Sequence, residues 1–280
     1  MTKSIAVSPF TMPAALAAAD NLLGNPTWLG RPDDADQAAW LSSFRRRAEL
    51  AARMPEIHRH ATDSAALHAA WLKSEGWEAQ VTQGTKNDIF LASTLNIVAK
   101  WLAPGRAYKE GAVDRVLLKK GARVSAGPDH LVVEVTTQHP SFNFCFHQVA
   151  SAPTNVAELA VLATDVVCRS VRETVHLDFP MVDLRVRASA EHMIGIHSGM
   201  NVITQAAEQF RLELNEVGGR ASAAAEIAVT RSASLSRTIK IDGPFVVAVK
   251  RNEASDDDDK VAFAAYVDRD AWRKPAEGRI

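Results

Sequence analysis

The stretch "NEVGGRASAAAEIAVTRSASLSRT", Asn215 to Thr238, places the tightest constraint on what this chain can build. Alanine has the best intrinsic helix propensity, yet the run has no stripe of helical period. With a period of two, one side reads Gly219, Ala221, Ala223, Ala225, Ile227 and Val229, and the other Arg220, Ser222, Ala224, Glu226, Ala228 and Thr230. A strand with one small, apolar face fits that alternation. The Ser, Ala and Arg residues that follow have the character of a solvated loop. The segment is therefore expected to be an exposed loop in one state and a strand in another.

With 280 residues, 47% of them hydrophobic, the chain can bury a large core as one sizeable domain, expected over residues 1–280. The net charge of -1 gives no global field for nucleic acid or for an acidic membrane surface, so neither is an expected partner. Two cysteines, Cys145 and Cys168, are too few for a disulfide scaffold, and Cys145 in "FNFCF" reads as a buried small hydrophobe. The start "MTKSIAVSPFTMPAALAAAD" imitates a signal peptide weakly, but two prolines interrupt it. No other apolar run approaches the ~18 residues of a membrane span. The expected location is the cytoplasm, with secretion as the alternative.

Pro13 to Leu23, closed by Gly24, predicts a buried helix, and Asp34 to Met54 an amphipathic one whose Arg45, Arg46 and Arg47 read as a solvated face. Strand-like runs follow: "ALHAAWL", "DIFLASTLNIVAKW", "LVVEVTT" and "FNFCFHQV". Asn155 to Arg172 reads as a helix, "MVDLRVRAS" as a strand, Val202 to Ala207 as a helix and Phe210 to Asn215 as a strand. "PFVVAVKR" and "VAFAAYV", joined by the acidic "NEASDDDDK", predict a β-hairpin, so the class is α+β with large antiparallel sheets. Nucleophile elbows, Walker loops, dinucleotide fingerprints and His-Glu-x-x-His are absent from the sequence, so no enzyme is expected. His58-x-His60 and His192 with His197 lack carboxylate or cysteine companions at ligand spacing, and neither metal nor cofactor is expected.

The order of these elements and several phrases resemble the serpins, protease inhibitors that trap a protease by inserting a cleaved loop into their own sheet. Ser8-Pro9-Phe10-Thr11 is similar to the family's buried "SP-S" helix start, and "LASTLNIVAKW" to its strand phrase "LVN-IFFKGKW", with Trp101 at the conspicuous tryptophan. "NEVGGRASAAAE" resembles the hinge "NEEGTEAAAAT", with Glu216 and Gly218 in place. "PFVVAVKR" and "FAAYVDRDAW" resemble the closing strands "PFLFLIR" and "FMGRVVNP". The likeness runs from residue 4 to residue 272 and looks like a miniature member with a reduced helix set: few residues separate "AWLKSEGW" from "DIFLASTL", where further helices, including one across the main sheet, are usual.

The resemblance implies a reactive loop over about 217–238 and a hinge of Glu216, Gly218, Gly219, Ala221, Ala223 and Ala225. It further implies a sheet-opening region of Ser8, Thr11, Ser93, Trp101 and Glu208. Ser93 stands where the family often has Asn, Glu208 where it often has His, and Gly219-Arg220 replace the usual Thr-Glu. The implied activity is suicide inhibition of a serine or cysteine protease by a monomer, with a non-inhibitory binding protein of the same shape as the alternative. Counting from the hinge assigns the cut to Ser232, and counting back from Pro244-Phe245 to Ala233. An exposed Arg before Ser instead suits a trypsin-like pocket and favours the bond Arg231-Ser232. The other registers imply elastase-like or subtilisin-like targets.

Overall fold

A computed structural model describes residues 4–78, 89–125, 131–219, 237–254 and 256–276. The chain begins with β1 (Ile5–Val7), α1 (Thr11–Ala18), α2 (Asp20–Leu23), α3 (Ala35–Ala51), β2 (Ile57–Thr62), α4 (Ala65–Ser74) and β3 (Phe90–Leu95). Five strands follow, β4 (Ala99–Lys100), β5 (Arg106–Glu110), β6 (Val113–Ser125), β7 (Val132–Thr136) and β8 (Phe142–Gln148), and then α5 (Val156–Cys168). Next come β9 (Val171–Pro180), β10 (Val182–Ser189), β11 (His197–Ser198), β12 (Asn201–Val202), β13 (Ala207–Leu214) and β14 (Gly218–Gly219). The last strands are β15 (Thr238–Lys240), β16 (Phe245–Arg251) and β17 (Val261–Val267).

Two compact units share these elements. The first comprises Met1–Ser8, Ile97–Val186 and Phe210–Ile280. Its nine-stranded sheet runs β1-β17-β16-β8-β7-β6-β9-β15, with β5 added on β6. The central strands are rich in Val and Phe and buried along nearly their whole length, as strands covered on both faces must be. β15 lies parallel to β9, so the sheet is mixed rather than wholly antiparallel. Helix α5 packs on β17, β16, β1 and β8 with Leu159, Ala163, Val166 and Val167, one stripe of helical period. Its Asn155 cap accepts from the Glu158 amide at 2.9 Å. A second sheet runs β10-β13-β14-β4.

The second unit comprises Pro9–Asn96 and Arg187–Gln209. In it α1 packs on the antiparallel β2–β3 pair and on α3. Leu16, Ala19, Trp28, Phe44, Ala190, Met193 and Ile196 form its core. The Asp34 carboxylate caps α3 by accepting from the Gln37 amide at 3.0 Å. No described helix is long and apolar enough to cross a membrane.

Four local expectations are corrected. "ALHAAWL" is helix α4, capped by Ser64 and packed on β2 and β3. Its buried residues are His68 and Leu72, a stripe too narrow to dominate the pattern. Val202 to Ala207 is not a helix: β12 ends at Val202 and β13 begins at Ala207. The Pro13 to Leu23 helix is two helices that meet at Ala19, and the helix from Asn155 stops at Cys168 because β9 begins at Val171.

Candidate functional site

At the end of β13 the chain reverses around Asn215. Its side-chain oxygen accepts from the amides of Val217 (2.8 Å) and Gly218 (3.1 Å), and its own amide donates to the Gly218 carbonyl at 3.0 Å. This Asx turn aims the chain back along β13. The two residues of β14 then pair antiparallel on both sides: Gly219 with Leu214 of β13, and Gly218 and Gly219 with Lys100 and Ala99 of β4. The hinge is thus already a short central strand.

Donors from residues 101–105 hold its carbonyls. The Trp101 indole N–H donates to Asn215 O at 2.8 Å, the Trp101 amide to Val217 O at 3.1 Å, and the Gly105 amide to Glu216 O at 2.7 Å. Trp101 is 1% exposed and meets Phe144 and Phe179 edge to face at 5.4 Å and 6.1 Å. Gln138 straps its backbone from the far side: the Gln138 amide donates to Lys100 O at 2.8 Å and its side-chain amide to Trp101 O at 3.0 Å.

Backbone leaves no room for a side chain at Gly218, and at Gly219 one fits only if neighbouring side chains shift. A Cβ on Gly218 would lie 2.4 Å from Ala99 O and 2.8 Å from Lys100 Cα. On Gly219 it would lie 2.7 Å from the Phe144 ring and 3.3 Å from Leu214. At Gly219 itself, the side a Cβ would occupy faces the core.

A second cluster lies in the other unit. Ser93 Oγ of β3 donates to the Thr11 carbonyl at 2.5 Å, and Thr11 Oγ1 at the start of α1 donates to Glu208 Oε1 of β13 at 2.9 Å. Burial pushes the Glu208 carboxyl up to about 7, against a smaller downward pull from the Thr11 hydroxyl. The β3 edge away from β2 has no strand partner among the described residues.

Of the residues singled out from sequence, Thr11, Ser93 and Glu208 thus form one hydrogen-bonded chain. Trp101, Glu216, Gly218 and Gly219 form another constellation, and Ser8 donates to the Ala262 carbonyl at 3.0 Å. Ala221, Ala223, Ala225, Arg231 and Ser232 lie outside the described residues. Asn215, Gly105, Gln138 and Phe144 complete the hinge grip and were not singled out. Asn before a Gly-containing turn is a recognisable signal, whereas Phe144 has none in its local sequence.

No protein-family model and no curated protein sequence matches this chain. Solved structures do. Serpin48 of the insect Tenebrio molitor, described as a highly specific serpin, is 14% identical with a TM-score of 0.59 over 95% of this chain and 92% of that one. Thyroxine-binding globulin in complex with thyroxine is 12% identical with a TM-score of 0.60, over the same shares of the two chains. Tengpin, a thermophilic serpin in its native state, is 10% identical with a TM-score of 0.61, over 95% of this chain and 89% of that one. The chain is a serpin-fold protein, with a reduced set of helices among the described residues.

Proposed function

We propose that this protein is a suicide inhibitor of a serine protease, acting by cleavage of its loop and insertion of the freed strand beside β13. The observation that carries the reading is β14, a strand of two glycines between β13 and β4 and antiparallel to both. It has the direction and the face that a fuller insertion needs.

Continued along β13, this register sets Ala221 beside Leu212, Ala223 beside Phe210 and Ala225 beside Glu208. The residues sharing the face of Gly219 are all alanines down to that point, so neither bulk nor charge enters the core. Each added ladder hydrogen bond contributes ~0.5–1.5 kcal/mol net, and burial of Ile227 and Val229 ~1.5–3 kcal/mol each. While both loop ends are tethered this gain is withheld. A protease that attacks Arg231-Ser232 forms an acyl-enzyme, and cleavage releases the strand before deacylation is complete.

Incubation with a trypsin-like protease should give an SDS-resistant species at the summed mass, with a released peptide that begins at Ser232. A peptide from Ala233 or Ser234 moves the target to the elastase-like or subtilisin-like class. Quantitative cleavage with no covalent species, across all three protease classes, would overturn the inhibitor reading in favour of a non-inhibitory binder.

A further inference from the structure

Helix α4 is held on the β2–β3 pair by stacked rings. His60 projects from β2 so that its ring lies over Trp71 of α4, with centroids 5.0 Å apart and planes 8° from parallel. His68 of α4 lies 6.1 Å from His60 and 5.4 Å from Phe90 of β3, and is 3% exposed. Nε2 of His60 and Nδ1 of His68 are both buried with no hydrogen-bond partner among the described residues. Neutral imidazoles tolerate this arrangement at modest cost. An imidazolium carries a charge and two N–H donors, and burying it unpaired is expensive.

The charged groups around the stack do not offset that cost. From β2, His58 Nδ1 contacts Glu75 Oε2 at 2.9 Å, and from β3, Thr94 Oγ1 donates to the same oxygen at 3.0 Å. The carboxylate at the end of α4 is thus engaged there, and Arg59, Asp63 and Lys73 are exposed. Phe90 and Ala92 bring no charge from β3. Protonation of His58 would strengthen its contact with Glu75, but the His58 side chain is 51% exposed and such pairs contribute little.

We propose that α4 is an acid-released strap: protonation within the His60–His68 stack lifts this helix from β2–β3 while the first unit keeps its fold. Burial, and then repulsion from His60, hold His68 below the ordinary imidazole value of 6.5. The packed form therefore binds fewer protons than the released form, so attachment is fully present above that value and is lost as the pH falls below it. Release uncovers Phe90, Ala92 and Thr94. The proposal rests on this packing and is independent of the inhibitor reading.

Hydrogen exchange of the full chain at pH 7.5 and 5.0, corrected for intrinsic rates, tests it. The opening constant of the α4 amides should rise at pH 5.0 towards a ceiling of about thirtyfold, set by His68 alone, while α5 keeps its protection. His68→Leu should abolish the rise, with His68→Phe in its place if the Leu variant does not fold, and His58→Gln should leave it intact. Equal α4 protection at the two pH values would overturn the proposal. So would a matching rise in α5, a His68 variant that still opens in acid, or loss of the effect in His58→Gln.

Discussion

Gly218→Ala should dislodge the hinge. The new methyl would sit 2.4 Å from Ala99 O and 2.8 Å from Lys100 Cα, about 1 Å inside the closest ordinary carbon–oxygen approach. Both obstacles are backbone, and Gln138 fixes that backbone from behind through Lys100 O and Trp101 O. If β14 stays, overpacking costs ~1–3 kcal/mol. If it leaves, the three hydrogen bonds from Trp101 and Gly105 to the hinge carbonyls are lost, at ~0.5–1.5 kcal/mol each. The two routes together span about 1–4.5 kcal/mol. At Gly219 the obstacles are the Phe144 ring and a Leu214 methyl, side chains that can shift, so Gly219→Ala should cost less. Urea unfolding gives the stabilities, and hydrogen exchange of the Trp101 and Gly105 amides reports whether the hinge is seated. A Gly218→Ala protein within 0.5 kcal/mol of the parent, with those amides still protected, would refute the reasoning.

Glu208→Gln should be neutral near pH 4.5 and stabilising at pH 8. The folded carboxyl titrates at about 7 and the unfolded one at 4.5, so the parent loses stability as the pH rises between them, about 3 kcal/mol in all; denaturation at both pH values measures it. Arg115→Met should cost ~3–5 kcal/mol, because it removes the charge partner of the buried Asp178, which Arg115 Nε meets at 3.0 Å, and leaves it the Tyr108 hydroxyl; Arg115→Met with Asp178→Leu should recover much of that in thermal melts. Ala223→Arg should convert an inhibitor into a substrate, read as cleavage without a covalent complex, because insertion would carry a guanidinium into the core.

Long, strongly patterned elements were legible in the sequence. The α5 stripe, the buried runs of β7 and β8 and the β16–β17 hairpin each carry their own period. Helix α4 was not legible: two buried residues make a weak stripe, and its place depends on a ring stack with a strand that precedes it. In β6, the bulge at Lys119-Lys120-Gly121 breaks the period of two, with Gly121 at φ 81°. The link from Thr11 to Glu208 joins residues 197 positions apart, and no local pattern encodes such a partner. The grip on the hinge was legible in part, because Trp101 and the glycines stand out while Gln138 and Phe144 act from a distant hairpin.

The central claim is that the loop can complete the strand that β14 begins, and the melting temperature of the loop-cut protein tests it most directly. A single cut between Gly219 and Ser232 should raise the melting temperature by more than about 10 °C, since several ladder bonds and two buried aliphatic side chains are gained. A cut protein that melts at or below the temperature of the intact chain would contradict insertion and, with it, the mechanism.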